Sequence, residues 1–362
     1  MPTVLDRLNH GLHHAMESDS RVYFFGEDVL DPYGGAFKVA RGLSTRFPER
    51  VLTTPISEAA IVGVSNGMAL RGLRPVAEIM FGDFIALAAD QLVNHTAKFR
   101  WMYNDHVRVP LVVRAPMGGR RGYGPTHSQS LEKLFLGVPG LKVVAPNALG
   151  DPAELLLAAI ADDDPVLFIE HKLLYTRPLL EMGKGELANW RAERTGGGYP
   201  TFILHPEYPP ALTIATYGYN FELARAAALQ LLMDHEIFTE LVLFSQLSPF
   251  DGAPGTGLPP LLTSLESTRR LLTVEESTIS LGWGAEIAAR AAESGNDSPH
   301  GGASQSRHHG GHYAIRRAAA LDLPIANSRP LEDAILPSVE SIVELALSMT
   351  VQGRAGITHG QS

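Results

Sequence analysis

Hydrophobic positions in the first half of the chain alternate between two spacings. Short apolar runs rich in β-branched residues, which are typical of buried strands, occur at 22–25, 76–80, 111–113, 141–144 and 166–169. Segments with the helical spacing of apolar residues lie among them, at 57–71, 84–103, 128–138 and 152–161. This alternation predicts an α/β domain in which helices cover both faces of a mostly parallel sheet.

A second series of the same kind follows. It has predicted strands at 212–216, 241–244 and 271–274, and predicted helices at 221–233 and 283–293. We therefore predict two doubly wound α/β domains, one over residues 1–182 and one over 211–350. The Gly- and Pro-rich stretch 183–210 is predicted to be a linker along the surface, and the Gly- and His-rich stretch 294–312 a mobile loop.

Composition narrows the functional classes. The net charge of −9 argues against a nucleic acid or an anionic membrane as partner. The absence of cysteine excludes a thiolate nucleophile and a cysteine-bound metal. No apolar run approaches the roughly 20 residues of a membrane span, and the first residues do not resemble a targeting segment. We expect a cytoplasmic protein.

Glu58 is the first candidate for chemistry. Ser57 can cap the helix predicted over 57–71, and Glu58 then lies in its first turn. Read by itself, this pattern favours a capping acid, worth about 0.3–1 kcal/mol to the helix. The alternative is a carboxyl group that faces a ligand.

A second cluster combines aromatic side chains with a titratable loop. Phe81 and Phe84 lie where a predicted strand changes to a helix, the edge at which doubly wound sheets bind ligands, although each by itself favours the core. Loop 116–130 holds four glycines, two arginines and His127. One interpretation is that this loop binds an anionic substrate. The equal alternative is an exposed turn in which His127 caps a helix.

Taken together and in this order, these stretches resemble the E1 beta subunits of 2-oxo acid dehydrogenases, the pyruvate, branched-chain and acetoin group of thiamine diphosphate enzymes. In the first domain the matching residues are 26–29, 33–39, 50–58, 72–75, 78–84, 90–91, 127–130, 139–146 and 164–166. In the second they are 274–276, 284–287 and 329–337. The resemblance implies a transketolase-like pyrimidine-binding domain followed by a transketolase C-terminal-like domain.

The resemblance also implies residue roles. Glu58 matches the acid that hydrogen-bonds N1′ of the cofactor's aminopyrimidine, and Phe84 matches the aromatic residue stacked on that ring. Ile56 is expected beside the same ring, and His127 matches the active-site histidine near the substrate carboxylate. A structural potassium ion, bound largely by backbone oxygens, is implied at Leu111, Ala159, Ile160, Asp162 and Asp164.

The chain has no Gly-Asp-Gly signature, the sequence by which this family holds Mg²⁺ and the cofactor's diphosphate. The resemblance therefore implies an alpha subunit that supplies this half of the site, in an α2β2 assembly, with a lipoyl-bearing E2 as a further partner. The second domain departs from the family pattern at Ser277 and at 320–326. Three functions stay open: a 2-oxo acid dehydrogenase that uses lipoamide, an acyloin-forming thiamine enzyme, and a non-catalytic beta-like protein.

Overall fold

The computed structural model describes residues 1–250, 257–296 and 313–350. Strands of the first half are β1 (Val22–Gly26), β2 (Val51–Thr53), β3 (Arg74–Glu78), β4 (Val112–Met117), β5 (Lys142–Val144) and β6 (Val166–His171). Its helices are α1 (Val4–Ser18), α2 (Leu43–Arg46), α3 (Glu58–Leu70), α4 (Phe99–Met102) and α5 (Pro152–Ala161).

The second half continues this mixture of helices and strands. Its strands are β7 (Trp190–Thr195), β8 (Thr201–Pro206), β9 (Leu212–Tyr217), β10 (Thr239–Phe244), β11 (Gln246–Ser248), β12 (Arg270–Thr278) and β13 (Ala314–Ala320). Its helices are α6 (Asn220–His235), α7 (Leu258–Thr268), α8 (Trp283–Asn296), α9 (Arg329–Ile335) and α10 (Val339–Thr350). None of the helices in these described ranges is long and apolar enough to cross a membrane.

The strands form two mostly parallel sheets, as the alternating pattern predicts. The first sheet has the order β11-β5-β6-β4-β3-β1-β2, and the second has the order β13-β12-β9-β10-β8-β7. β11 follows β10 of the second sheet but pairs antiparallel with β5 of the first. One apolar core also runs between the domains, since it contains Ile61 of α3 together with Trp283 of α8. The two domains are therefore joined by backbone hydrogen bonds and by a shared core.

The segment predicted as a linker, 183–210, differs from that prediction. β7 and β8 form an antiparallel hairpin on the second sheet, and β8 pairs with β10. Trp190 anchors the hairpin, because its side chain is buried and its indole N–H donates to the carbonyl of Thr239 at 3.1 Å. The sequence does not predict β7 as a strand, because charged residues interrupt its apolar pattern. Charged residues are typical of an exposed edge strand.

Two predicted helices are also wrong in detail. Residues 84–103 form a 3-10 segment (Gly82–Ala88), a π segment (Gln91–Thr96) and the short α4. Residues 128–138 contain only a 3-10 turn at Glu132–Leu134. The buried Glu132 carboxylate there accepts a hydrogen bond from the Tyr217 hydroxyl of the second domain. The backbone N–H groups of Leu134, Phe135 and Val138 each donate to the carbonyl three residues earlier, so the segment forms successive turns in place of a regular helix.

The predicted loop at 294–312 overlaps α8 at its start, because residues 294–296 form the last turn of that helix. The rest of this predicted loop, residues 297–312, lies outside the described residues.

Candidate active site

Glu58 is the first residue of α3, as the sequence predicts, but capping does not explain its environment. Ser57 occupies the N-cap position with an extended backbone, and its side chain makes no capping hydrogen bond. The Glu58 side chain is nevertheless only 5% exposed. An acid that served only to favour the helix N-terminus could stay in water, so its burial favours the alternative of a carboxyl group that faces a ligand.

A second carboxyl group, that of Glu27, lies near Glu58. Glu27 follows β1 directly, at the carboxyl edge of the parallel sheet, and its Oε1 is buried with no hydrogen-bond partner among the described residues. Burial, followed by the charge of Glu58, raises the pKa of Glu27 above its ordinary value. Our sequence analysis did not single out Glu27, although its position after a buried strand is a signal that could have found it.

Phe84 and His127 come together beside α3. The 3-10 segment that carries Phe84 packs against α3. The ring of Phe84 meets the imidazole of His127 edge to face, with centroids 5.2 Å apart, and Phe81 meets the same imidazole at 4.9 Å. The structure therefore brings Phe84 and His127 together, and the segment of Phe84 packs against the helix that Glu58 begins. Two aromatic rings fix the orientation of the imidazole.

His127 does not cap a helix, because no regular helix follows it. Its Nδ1 lies 3.0 Å from the hydroxyl oxygen of Thr126, within hydrogen-bond distance. Its backbone carbonyl accepts a hydrogen bond from Nζ of Lys172 at 2.5 Å. The capping interpretation of His127 is therefore wrong, whereas ligand binding by this loop stays a prediction.

Lys172 is a residue that our sequence analysis missed. Its side chain is fully buried, with Nζ 5.4 Å from the centre of the Phe81 ring and 5.8 Å from that of Tyr123. Burial lowers the pKa of Lys172 to about 8, although the nearby carboxylate of Asp83 opposes this shift. No sequence signal separates this lysine from the surface lysines that commonly follow a strand.

Ile56 lies before α3 with its side chain 83% exposed, so nothing in the described part of the chain covers it. A cavity of about 1410 Å³ opens elsewhere between the domains, lined among others by Trp101, Phe250 and Leu281. Glu58, Phe84 and His127 do not line this cavity. The candidate chemistry therefore lies outside it.

Comparison with known proteins identifies the family. Residues 2–178 match the family model described as "Transketolase, pyrimidine binding domain", and residues 205–342 match "Transketolase, C-terminal domain". A mitochondrial pyruvate dehydrogenase E1 component subunit beta-2 from Oryza sativa is 34% identical, over 95% of this chain and 85% of its own length.

Two bacterial relatives agree with this match. The beta subunit of acetoin:2,6-dichlorophenolindophenol oxidoreductase from Bacillus subtilis is 34% identical, over 95% of this chain and 96% of its own length. The 2-oxoisovalerate dehydrogenase subunit beta from Pseudomonas aeruginosa is 36% identical, over 79% of this chain and 81% of its own. The chain belongs to the family of E1 beta subunits of 2-oxo acid dehydrogenases.

Solved structures agree on the fold of this E1 beta chain. A split-gene transketolase, titled as an inactive beta4 tetramer, superposes with a TM-score of 0.70, over 97% of this chain and 100% of its own. A transketolase mutant from Pichia stipitis has a TM-score of 0.63, over 97% of this chain and 46% of its own. At sequence identities of only 18% and 14%, these two matches support the fold and say nothing about function. The predicted fold class and the predicted family are confirmed.

The residues expected to bind potassium lie in a cluster of charged side chains that bond to them. The guanidinium of Arg74 donates to the carbonyl oxygens of Ile160 at 2.9 Å and of Asp162 at 3.0 Å. Nζ of Lys142 donates to the Asp162 carboxylate at 2.7 and 2.8 Å. Lys142 also reaches Asp164 at 3.3 Å.

Further hydrogen bonds complete this cluster. Arg100 pairs with Asp164, and Arg74 also pairs with Asp163 at 2.6 Å. The carbonyl of Leu111 accepts from the N–H of Val166, and that of Ala159 accepts from the N–H of Asp162. Three basic side chains thus balance three acidic ones, and the oxygens expected to bind potassium already have partners. A potassium ion at this cluster would have to share these oxygens with Arg74 and Lys142, and the predicted site stays a prediction.

Proposed function

We propose that this chain is the beta subunit of a thiamine diphosphate-dependent E1 that decarboxylates a 2-oxo acid and passes the acyl unit to lipoamide. The observation that carries the proposal is the burial of Glu58 at the start of α3, a helix that packs against the segment whose Phe84 ring contacts His127. Its relatives include pyruvate and 2-oxoisovalerate dehydrogenase beta subunits, which favours a dehydrogenase subunit over an acyloin-forming enzyme or a non-catalytic partner.

The residues around Glu58 suit the pyrimidine end of the cofactor. A buried polar atom without a partner costs free energy, and within the described part of the chain Oε1 of Glu27 is such an atom close to Glu58. Ile56 offers an exposed apolar side chain, and Phe84 an aromatic face. We propose that Glu58, Ile56 and Phe84 hold the aminopyrimidine. When bound, thiamine diphosphate supplies the carbon nucleophile and the electron sink for decarboxylation.

The roles of the two catalytic residues follow from their surroundings. The Glu58 carboxyl, which is shielded from water, would share a proton with the ring nitrogen and so make the cofactor's amino group basic. The hydroxyl of Thr126 occupies Nδ1 of His127, which leaves Nε2 to meet a substrate. We propose that Nε2 orients the carboxylate of the 2-oxo acid and then the incoming acceptor.

The other half of the site would come from an alpha-type partner in an α2β2 assembly. We propose that this partner holds Mg²⁺ and the diphosphate, because the chain lacks the Gly-Asp-Gly signature. Large apolar side chains that a partner would cover are exposed at Trp101 (87%) and Leu281 (86%). Both line the cavity between the domains. A lipoyl-bearing E2 would be a further partner of the assembled enzyme.

Calorimetry on the chain with and without its alpha-type partner tests this proposal. The isolated chain should bind thiamine diphosphate with Mg²⁺ weakly or not at all, and the mixture should bind it and release CO₂ from a 2-oxo acid. Tight binding by the isolated chain would contradict the divided site. Turnover with lipoamide, compared with turnover with an aldehyde, would then identify the acceptor.

A further inference from the structure

The loop that ends at His127 has an unusual backbone. It begins after β4, where the N–H of Gly118 donates to the carbonyl of Gln129 at 3.2 Å and closes the neck of the loop. Gly118, Arg120 and Gly122 all have positive φ angles, of 94°, 68° and 69°. Alternation of this kind points successive N–H groups toward one side, which makes a concave site for an anion.

Carboxylates of the second domain fill that concave site. Oε1 of Glu332 accepts from the N–H of Arg120 at 2.6 Å, and its Oε2 accepts from the N–H of Gly122 at 3.2 Å. Oε1 of Glu276 accepts from the N–H of Gly119 at 2.7 Å. Both glutamates are only 2% exposed. Hydrogen bonds that backbone N–H groups donate to ionised carboxylates are among the stronger hydrogen bonds in proteins.

The fit between loop and second domain is close. A Cβ atom on Gly119 would lie 2.9 Å from Cδ1 of Leu336 and 3.1 Å from Oε1 of Glu332. Nε of Arg120 donates to Oε2 of Glu276 at 3.2 Å, and its terminal nitrogen donates to the carbonyl of Pro337 at 2.5 Å. The start of the loop is therefore held by the second domain through backbone and side chain alike.

The Glu276 carboxylate is also connected to the C-terminal end of the loop, through His171 and Lys172. Oε1 of Glu276 lies 3.1 Å from Nε2 of His171, the last residue of β6. The next residue, Lys172, donates from Nζ to the carbonyl of His127 and from its backbone N–H to the carbonyl of Met117. A chain of contacts thus runs from Glu276 through β6 to the backbone of His127.

We propose that Glu276 and Glu332 are positioning residues, through which the second domain fixes the loop 118–127 and so places the His127 imidazole at the active site. Neither carboxylate acts on the substrate. The proposal rests on the proposed function in one respect, the role of His127 in the reaction. On this view, activity in the first domain depends on carboxylates of the second.

The test compares Glu332→Ala, Glu332→Gln and Asp333→Ala in the beta chain assembled with its alpha-type partner. Glu332→Ala removes both acceptors, whereas Glu332→Gln keeps one oxygen. Asp333 is the matched control, since its carboxylate is exposed and lies 3.7 Å from Arg329 on the surface. Hydrogen exchange over residues 118–127 reports on the loop, and steady-state kinetics report on its effect.

We expect Glu332→Ala to speed exchange in the loop about tenfold and to lower kcat about 10- to 100-fold, with the KM for thiamine diphosphate changed by less than about twofold. Glu332→Gln should recover part of both effects, and Asp333→Ala should behave like the parent. A change in stability without a change in kcat is what a merely structural contact would give, and it would overturn the proposal. If Glu332→Ala does not fold, Glu332→Gln and Glu276→Gln carry the same test.

A His127→Ala variant separates this proposal from the proposed function. If His127→Ala keeps full activity, the role of His127 in the proposed function fails. If Glu332→Ala leaves hydrogen exchange over residues 118–127 unchanged, the second domain does not fix the loop. That result would overturn this proposal whatever the role of His127. Faster exchange with normal kcat would show that the held position does not matter to the reaction, and it too would overturn the proposal.

Discussion

Glu275 and Glu276 are neighbours on β12, yet the pKa values of their carboxyl groups are shifted in opposite directions. Burial raises the pKa of Glu275 to about 8, and the nearby Glu132 adds to this shift. Burial also acts to raise the pKa of Glu276, but His171, Arg120 and the N–H of Gly119 outweigh it and lower the value to about 2. Because successive residues of a strand face opposite sides, adjacent carboxyl groups meet different environments.

Glu275→Gln should stabilise the fold near neutral pH. A carboxyl group whose pKa is higher in the folded state makes the fold lose stability as the pH rises from about 4.5 to about 8. The variant should therefore gain roughly 3 kcal/mol at pH 7 and little at pH 4. Urea unfolding at both pH values measures this. An equal effect at the two pH values would show that Glu275 does not titrate in this range.

Arg114→Met should be strongly destabilising. Arg114 is fully buried on β4 and bonds to Glu78 on β3 and to both carboxylate oxygens of Glu170 on β6, at 2.7 Å each. Its loss would leave two buried carboxylates without a cation, at a cost of about 3–5 kcal/mol. Arg290→Met is the control, since Arg290 pairs with Glu286 at the surface. Chemical unfolding that leaves Arg114→Met as stable as the parent would contradict this reading of the network.

Glu58→Gln should remove activity but not the fold. Gln cannot exchange the proton that the cofactor ring requires, so we expect kcat of the assembled enzyme to fall at least about 100-fold. Glu154 provides a matched control, as an exposed acid in the first turn of α5. Turnover of 2-oxo acid, followed by CO₂ release, should be normal in Glu154→Gln. Near-normal turnover in Glu58→Gln would remove Glu58 from the mechanism.

Stability should not depend on potassium. Lys142, Arg74 and Arg100 already balance the acidic residues 162–164, so an added ion has no charge to neutralise. Replacing KCl by choline chloride at equal ionic strength should leave the thermal midpoint unchanged to within about 1 °C. A drop of several degrees that rubidium ions reverse would place a monovalent cation at this cluster after all.

The first domain could be predicted well from its sequence, because its strands are apolar and its strongest helices have clear boundaries. The helices expected at 57–71 and 152–161 are observed as Glu58–Leu70 and Pro152–Ala161. The segment 84–103 has the apolar spacing of a helix, but that spacing does not distinguish 3-10, α and π hydrogen bonding. Glu58, Phe84 and His127 were recognised because the motifs around them resemble a known family.

By itself, the sequence determined two α/β domains, the family, and which side chains are candidates for chemistry. The tertiary structure alone decided that β7 and β8 extend the second sheet, that β11 joins the first, and that Glu276 and Glu332 hold the loop before His127. Periodicity reports the local burial of a segment. It carries no information on which distant carboxylate meets a given N–H group, because that pairing depends on how the two domains pack.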